Sequence, residues 1–137
     1  MILDLHVHFY RLGEMGVKWK DIPVGVQQAL ESSLLSRVKS MMIIEVSDVL
    51  VGSVGMDYRW IENEKIRHEI FQKIIESFGG DVAGGNVQAL CNIVLGMGLV
   101  GMKKEMLPKD VYAALINGVK FYRSSLNNHQ LKIIAFG

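Results

Sequence analysis

At 137 residues the chain is shorter than the roughly 250 residues that a TIM barrel typically needs, so we expect a single domain. Half of the residues are apolar, which is enough for a sizeable core, and 15 basic against 14 acidic residues exclude the bulk positive charge of many nucleic-acid-binding domains. The single cysteine, Cys91, excludes an intrachain disulfide, and its apolar neighbours predict a buried thiol.

The first predicted element carries Asp4, His6 and His8, and it has two interpretations. On a strand these side chains would share a face and could bind a divalent metal ion, and such an opening resembles the first barrel strand of the amidohydrolases. On a helix, side chains two residues apart diverge by about 200°, and no shared site forms. The remaining histidines, His68 and His129, lie in no ligand-spaced cluster, which argues against a metal-dependent hydrolase fragment.

The sequence repeats itself. Residues 5–19 align with residues 46–60 at an offset of 41, and residues 13–30 align with residues 98–115 at an offset of 85. A four-residue insertion within residues 79–86 accounts for most of the change in spacing. Such a period predicts stacked helical hairpins. The second alignment contains seven identities in eighteen positions, at Gly13, Gly16, Lys18, Pro23, Val26, Ala29 and Leu30.

Two kinds of helix are predicted in each unit, from their apolar spacing. A type-B helix ends at a glycine-rich turn, and a type-A helix follows that turn. The stripes of the type-A helices are Val26, Leu30 and Leu34, then Ile66, Ile70 and Ile74, then Val111, Leu115 and Val119. In chain order we predict a type-B helix at 3–16, a hairpin of both types at 24–57, a second hairpin at 64–101, a type-A helix at 108–124 and the start of a type-B helix at 129–137.

The predicted fold class is therefore all-α, an α-solenoid of about three helical hairpins of roughly 38 to 45 residues, incomplete at both ends. The predicted array lacks polar capping repeats, so we expect further repeats or partner proteins to cover its ends.

His8 falls at a core position of the first type-B helix, and His6 is expected to face the surface. No metal or cofactor site is then expected. Pro23 and Pro108 fit the first turn of a type-A helix.

Residues 82–102 contain no charged side chain and are nominally long enough to span a bilayer. The segment also contains five glycines and the polar residues Asn86, Gln88 and Asn92. A buried helix that follows a glycine-rich loop explains this composition better, and no membrane contact is expected.

Three phrases of the sequence resemble octotricopeptide-type repeats, the helical-hairpin arrays of organelle RNA-binding proteins, with kinship to the helical repeats beside RAP domains. The segments that carry the resemblance are RLGEMGVKWKDIPVGVQQAL, VSDVLVGSVGMDYRW and NVQALCNIVLGMGLVGMKKEMLP. The resemblance of the repeat units covers nearly the whole chain. The resemblance implies RNA or ribonucleoprotein subunits as partners. It also implies an organelle as the location, a mitochondrion rather than a plastid, although no targeting peptide is visible.

The chain departs from this pattern in two of its units. The second unit has Asp57 in place of a glycine and Glu64 in place of a proline. The third unit has Lys104 where the others have Trp19 and Trp60. An array that has diverged in this way could serve as a scaffold, for instance within a mitochondrial ribosome.

Two columns of equivalent residues are candidate RNA contacts, since stacked units place equivalent positions about 10 Å apart. Cations next to the turns could follow a phosphate backbone, although lysine is also common in solvated turns. Polar residues of the type-B helices could read base edges, although this pattern also fits an ordinary exposed helix face. The first column is Lys18, Arg59 and Lys103, with Lys20 and Lys104 beside it, and the second is Val7, Asp48 and Asn92.

The two tryptophans, Trp19 and Trp60, could stack on bases, but their apolar neighbours favour packing between hairpins.

No catalytic triad, nucleophile elbow, Cys/His metal spacing or P-loop is present, and the glycines at 96–102 match no dinucleotide-binding loop, so no enzyme is predicted. We expect a non-catalytic RNA-binding or ribonucleoprotein-scaffold protein. A protein-interaction scaffold of the same fold is the alternative, and a metal-dependent hydrolase fragment is a distant third.

Overall fold

A computed structural model describes residues 5–80 and 86–123 of the chain. The described residues are all-α, as the apolar spacing predicts, and they contain no strand. None of their helices is long and apolar enough to cross a membrane. The predicted helix at 129–137 lies outside the described residues, as does Asp4. The helices are α1 (Leu5–Glu14), α2 (Val24–Arg37), α3 (Ile43–Met56), α4 (Glu64–Phe78), α5 (Val87–Leu99) and α6 (Lys109–Tyr122).

The helices pack in two rows that alternate along the chain. In one row α3 lies between α1 and α5, and in the other α4 lies between α2 and α6. Near their starts α1 and α3 meet through His6 and Glu45, and near their ends they meet through Gly13 and Gly52, so these two helices are parallel. The type-B helices of the sequence therefore contact one another, as do the type-A helices.

The three type-B helices end in the same way. Each is followed by a residue with positive φ, namely Gly16 (75°), Asp57 (57°) and Gly101 (82°), spaced 41 and 44 residues apart. Aspartate tolerates this left-handed conformation better than most residues with a side chain, so the missing glycine at position 57 does not change the turn. A short 3₁₀ turn then leads to the next type-A helix, at Trp19–Asp21, Trp60–Glu62 and Lys104–Met106.

The type-A helices begin one position later than the prolines predict. Pro23 and Pro108 are extended residues that precede the first helical residue, and their carbonyls accept the N–H groups of Gln27 and Tyr112. The prediction that they lie within the first turn is therefore wrong by one position. In α4 the capping residue is Asn63, whose side chain accepts the N–H of Ile66 at 3.2 Å and so supplies the cap that a proline cannot.

The core lies between the two rows, and most of the predicted stripes are buried in it. Ile66, Ile70 and Ile74 are fully buried in α4. Val26 occupies the equivalent position in α2, yet 48% of its surface is exposed, so the prediction of a core residue is wrong there. The physical reason is the number of helices that each one packs against. Within the described residues α6 packs on both α4 and α5 and buries the equivalent Val111, whereas the main helix contact of α2 is with α4 alone.

Candidate interaction surface

The connections at residues 15–23, 57–63 and 100–108 form a surface that we call the turn edge. The first two connections touch where the Trp19 and Tyr58 rings stack. The second and third approach each other where the start of α4 and Pro108 line one cavity of about 760 Å³. The local sequence explains this edge, because a left-handed residue and a 3₁₀ turn follow each type-B helix.

The predicted column of cations lies on the turn edge. Lys18, Arg59 and Lys103 each stand immediately before a 3₁₀ turn, with φ between −96° and −90°, and all three are exposed. Lys20 and Lys104 are exposed residues inside the first and third 3₁₀ turns. Three successive units therefore present a cation at the same backbone position.

These cations differ in what they contact. The Lys18 ammonium donates to the Gly55 carbonyl at 3.2 Å, near the end of α3, and Arg59 Nε donates to Glu62 Oε1 at 2.8 Å. The side chains of Lys103 and Lys104 make no hydrogen bond or ion pair with the residues that the structure describes. The third connection thus offers its two cations to a ligand, while Lys18 and Arg59 in the first two connections are bonded to the protein.

Carboxylates also line the turn edge. Asp21 follows Lys20 within the first 3₁₀ turn, and Asp57 and Glu62 flank Arg59. Because opposite charges alternate here, the electrostatic attraction for a polyanion is much weaker than five basic residues alone would give.

The second predicted column, on the polar side of the type-B helices, is only partly exposed. Asp48 Oδ2 lies 3.2 Å from His6 Nδ1, and His6 Nε2 lies 3.0 Å from Glu45 Oε2. His6 therefore bridges α1 and α3, and its side chain is 15% exposed, so the expectation that it faces the surface is wrong. Asn92 accepts a hydrogen bond from Gln88 at 3.0 Å along α5.

The packing of α1 against α3 explains the position of His6, because it brings the imidazole between Glu45 and Asp48 of α3. A carboxylate and an imidazole that are half removed from water are stabilised by bonding to each other. His8, the other histidine of the opening, is half-buried in α1. Within the described residues no group of three or more His, Cys, Asp or Glu side chains is arranged to hold a metal ion.

A polar and aromatic cluster joins the first two connections, and the sequence analysis missed it. The Trp19 and Tyr58 rings are in contact, with their centroids 4.1 Å apart and their planes tilted by 32°. The Tyr58 hydroxyl donates to Glu31 Oε2 at 2.8 Å, and Asn63 Nδ2 donates to the same oxygen at 3.1 Å. Burial, then the bond to Glu31, raises the pKa of Tyr58 far above its usual range. The cluster forms the wall of a cavity of about 420 Å³ lined by Trp19, Glu31, Asp57, Tyr58, Arg59, Glu62 and Asn63.

One signal in the sequence points to this cluster. Glu31 is the eighth residue of α2, and the eighth residues of α4 and α6 are Phe71 and Ile116. A carboxylate at a position that is apolar in the other two units indicates a local polar contact. The two tryptophans also differ, since Trp60 is fully buried against Phe71 while Trp19 is half-buried.

Comparison with protein-family models, with curated proteins and with solved structures gave no match to this chain. A functional proposal therefore rests on the chain's own residues and on the geometry of the turn edge.

Proposed function

We propose that the chain is an α-solenoid of helical hairpins that binds single-stranded RNA along its turn edge and catalyses no reaction. Two packed rows of helices and three equivalent turns, 41 and 44 residues apart, support the solenoid. One observation supports RNA as the ligand. Lys18, Arg59 and Lys103 are exposed at the same backbone position of successive units, where a phosphate backbone could run past them.

The proposed biological setting is a ribonucleoprotein of an organelle, a mitochondrion in the first instance. It rests on the resemblance to octotricopeptide-type repeats. Base reading by Asp48 and Asn92 is a weaker part of the proposal, because Asp48 is bonded to His6 and Asn92 to Gln88. We therefore expect the chain to bind RNA mainly through phosphates, with little dependence on sequence.

The test is the binding of a fluorescently labelled single-stranded RNA, followed by anisotropy over a series of salt concentrations. The informative variant is Lys103→Glu with Lys104→Glu, because these side chains have no hydrogen bond or ion pair to lose within the described residues. The matched control is Arg37→Glu with Lys120→Glu, an equal change of charge at exposed positions outside the turn edge. Each lost phosphate contact lowers the slope of log K against log salt by about 0.7 for a single strand.

We expect the turn-edge variant to lose affinity and to show a shallower salt dependence, while the control binds as the parent chain does. The triple variant Lys18→Glu, Arg59→Glu, Lys103→Glu then extends the test to the whole column. Absence of binding at low salt from a folded, helical sample would overturn the proposal. Equal losses in variant and control would also overturn it, since they would indicate only the effect of net charge.

A protein-interaction scaffold with no RNA contact is the second candidate, and a specific observation favours it. An apolar groove of about 240 Å³ lies between α5 and α6, lined by residues that include Met97, Met102, Leu107 and Ile116. Leu99 is next to this groove in sequence and is 61% exposed. Apolar surface of this kind is typical of protein contacts. A chain that fails the RNA test would be assigned to this class.

A further inference from the structure

The cavity between the first two connections combines an aromatic wall with an excess of negative charge. Its lining includes three carboxylates, Glu31, Asp57 and Glu62, and one cation, Arg59. Arg59 is bonded to Glu62 at 2.8 Å, so these two charges largely neutralise each other. Glu31 and Asp57 then leave the cavity with two net negative charges.

The two remaining carboxylates still have acceptor capacity. Both donors that reach Glu31, the Tyr58 hydroxyl and the Asn63 amide, bond to its Oε2 atom, and its Oε1 atom has no partner among the described residues. Asp57 is exposed and has no bond to the described residues through its side chain. The turn fixes its left-handed backbone and so places this residue at the rim of the cavity.

Part of the aromatic wall of this cavity, the Trp19 indole, is accessible to a ligand. Trp19 rests against the Tyr58 ring, which is only 4% exposed and is held by its bond to Glu31. Trp19 itself remains half-buried, with part of its indole open to the cavity that it lines. A tryptophan face beside carboxylates attracts a cation, because the ring's negative face and the carboxylates act in the same direction.

We propose that this cavity binds an arginine side chain of a protein partner. The guanidinium stacks on Trp19 and donates to Glu31 Oε1 and to the Asp57 carboxylate. Arginine fits better than lysine, since its planar group stacks and donates in several directions at once, while a lysine ammonium is a strongly hydrated point charge. A phosphate or a nucleotide fits worst, because two net negative charges repel it.

This contact goes beyond the proposed RNA binding, and it is specific to the first pair of units. In the third unit Lys104 replaces the tryptophan and Ile116 replaces Glu31, so neither the stacking face nor the carboxylate recurs. The site and the cations Lys103 and Lys104 therefore lie in different connections of the turn edge. The two functions can be separated by substitution.

The experiment uses the indole N–H signals of the whole ¹⁵N-labelled chain, which contains two tryptophans. Trp19 reports the cavity, and Trp60, fully buried elsewhere, is the internal control for folding. The probes are acetyl-Gly-Arg-Gly-amide, the same peptide with lysine, the same peptide with neutral citrulline, and adenosine monophosphate. We expect the arginine peptide to shift the Trp19 signal in a saturable manner and to leave Trp60 unchanged, with weaker binding of lysine and none of citrulline.

Two substitutions test the carboxylates without removing the turn. Glu31→Gln keeps an acceptor oxygen for Tyr58 and Asn63, and Asp57→Gly installs the residue found at the two equivalent positions. We expect each of them alone to weaken arginine binding by roughly tenfold, the loss of about one charge-assisted contact. Glu76→Gln, an exposed change at the far end of α4, should have no effect. If Glu31→Gln disturbs folding, as seen at Trp60, Asp57→Gly alone decides the test.

Three outcomes would overturn the proposal. Citrulline could bind as well as arginine, the Asp57→Gly variant could bind as the parent chain does, or adenosine monophosphate could shift Trp19 more strongly than arginine, which would indicate a base-stacking pocket. The Lys103→Glu, Lys104→Glu variant separates this proposal from RNA binding. It should lose affinity for RNA and keep its affinity for the arginine peptide.

Discussion

The same substitution at two equivalent glycines should change stability in opposite directions. Gly52 of α3 and Gly96 of α5 lie 44 residues apart, and their contacts, Phe9 and Leu50, are also equivalent. A Cβ atom added at Gly52 would overlap the backbone carbonyl of Phe9 and lie 2.8 Å from the backbone nitrogen of Tyr10. A Cβ atom added at Gly96 would lie 3.5 Å from Leu50 Cβ, an ordinary contact.

The size of each stability change depends on whether the atoms that the new Cβ meets can move away. At Gly52 the obstacle is backbone, so α1 and α3 must separate by on the order of 1 Å, which forfeits a quarter to a half of the dispersion energy at the contact. Overpacking of this kind costs about 3 kcal/mol at the upper end, and the better helix propensity of alanine returns about 1 kcal/mol. We expect Gly52→Ala to lower the free energy of unfolding by about 2 kcal/mol, and Gly96→Ala to raise it by about 0.5 to 1 kcal/mol.

Urea unfolding followed by far-ultraviolet circular dichroism measures both variants against the parent chain. The midpoint should fall for Gly52→Ala and rise for Gly96→Ala, with an unchanged dependence on urea if both remain two-state. Equal midpoints for the two variants would refute the reasoning, because it would mean that α1 is no closer to α3 than α5 is.

Three further predictions concern single side chains. Burial raises the pKa of Tyr58, so the folded chain keeps the phenol proton at pH values where the unfolded chain loses it. The contribution of this group to the free energy of unfolding is therefore complete below about pH 10 and declines above that pH by up to about 1.4 kcal/mol per pH unit. Tyr58→Phe should remove this decline when urea unfolding is measured over a series of pH values. The thiol of Cys91 is fully buried, and burial raises its pKa, so a disulfide reagent should modify it only as fast as the chain opens. Replacement of His6 by alanine leaves Glu45 and Asp48 without their bridge and should lower the free energy of unfolding by about 1 kcal/mol, a loss that Glu45→Gln in the same chain should reduce.

The sequence predicts the helices well because their causes are local. Apolar spacing and the repeat offset locate the six helices found within residues 5–80 and 86–123, and the turn glycines indicate where the type-B helices end. The sequence presents Asp57 only as a departure from the glycine pattern, and the structure shows that its backbone nevertheless adopts the left-handed conformation of the equivalent glycines. Periodicity does not show which neighbours a helix has, so it assigns Val26 to the core and cannot detect that α2 packs mainly on α4, while α6 packs on both α4 and α5.

Most of the candidate surface is harder to predict, because it depends on pairs of residues far apart in sequence. The column of Lys18, Arg59 and Lys103 follows from the alignment, but their partners, such as the Gly55 carbonyl, do not. Likewise His6 meets Asp48, which lies 42 residues away. A single residue type at one position indicates only that it can form a polar contact, and the packing of the helices decides which contact it forms.

The near-neutral net charge of the chain does not describe the local charges along the turn edge. The three connections share one backbone geometry, yet the first two carry the aromatic and acidic cavity, and the third carries the exposed Lys103 and Lys104. Opposite charges that are separated along a surface cancel in the total and do not cancel in the local field within about 10 Å of each group. A chain with 15 basic and 14 acidic residues can thus attract a polyanion at one unit and a guanidinium at another. This is why substitution of single units, and not a change of net charge, is the test that can distinguish the two proposed contacts.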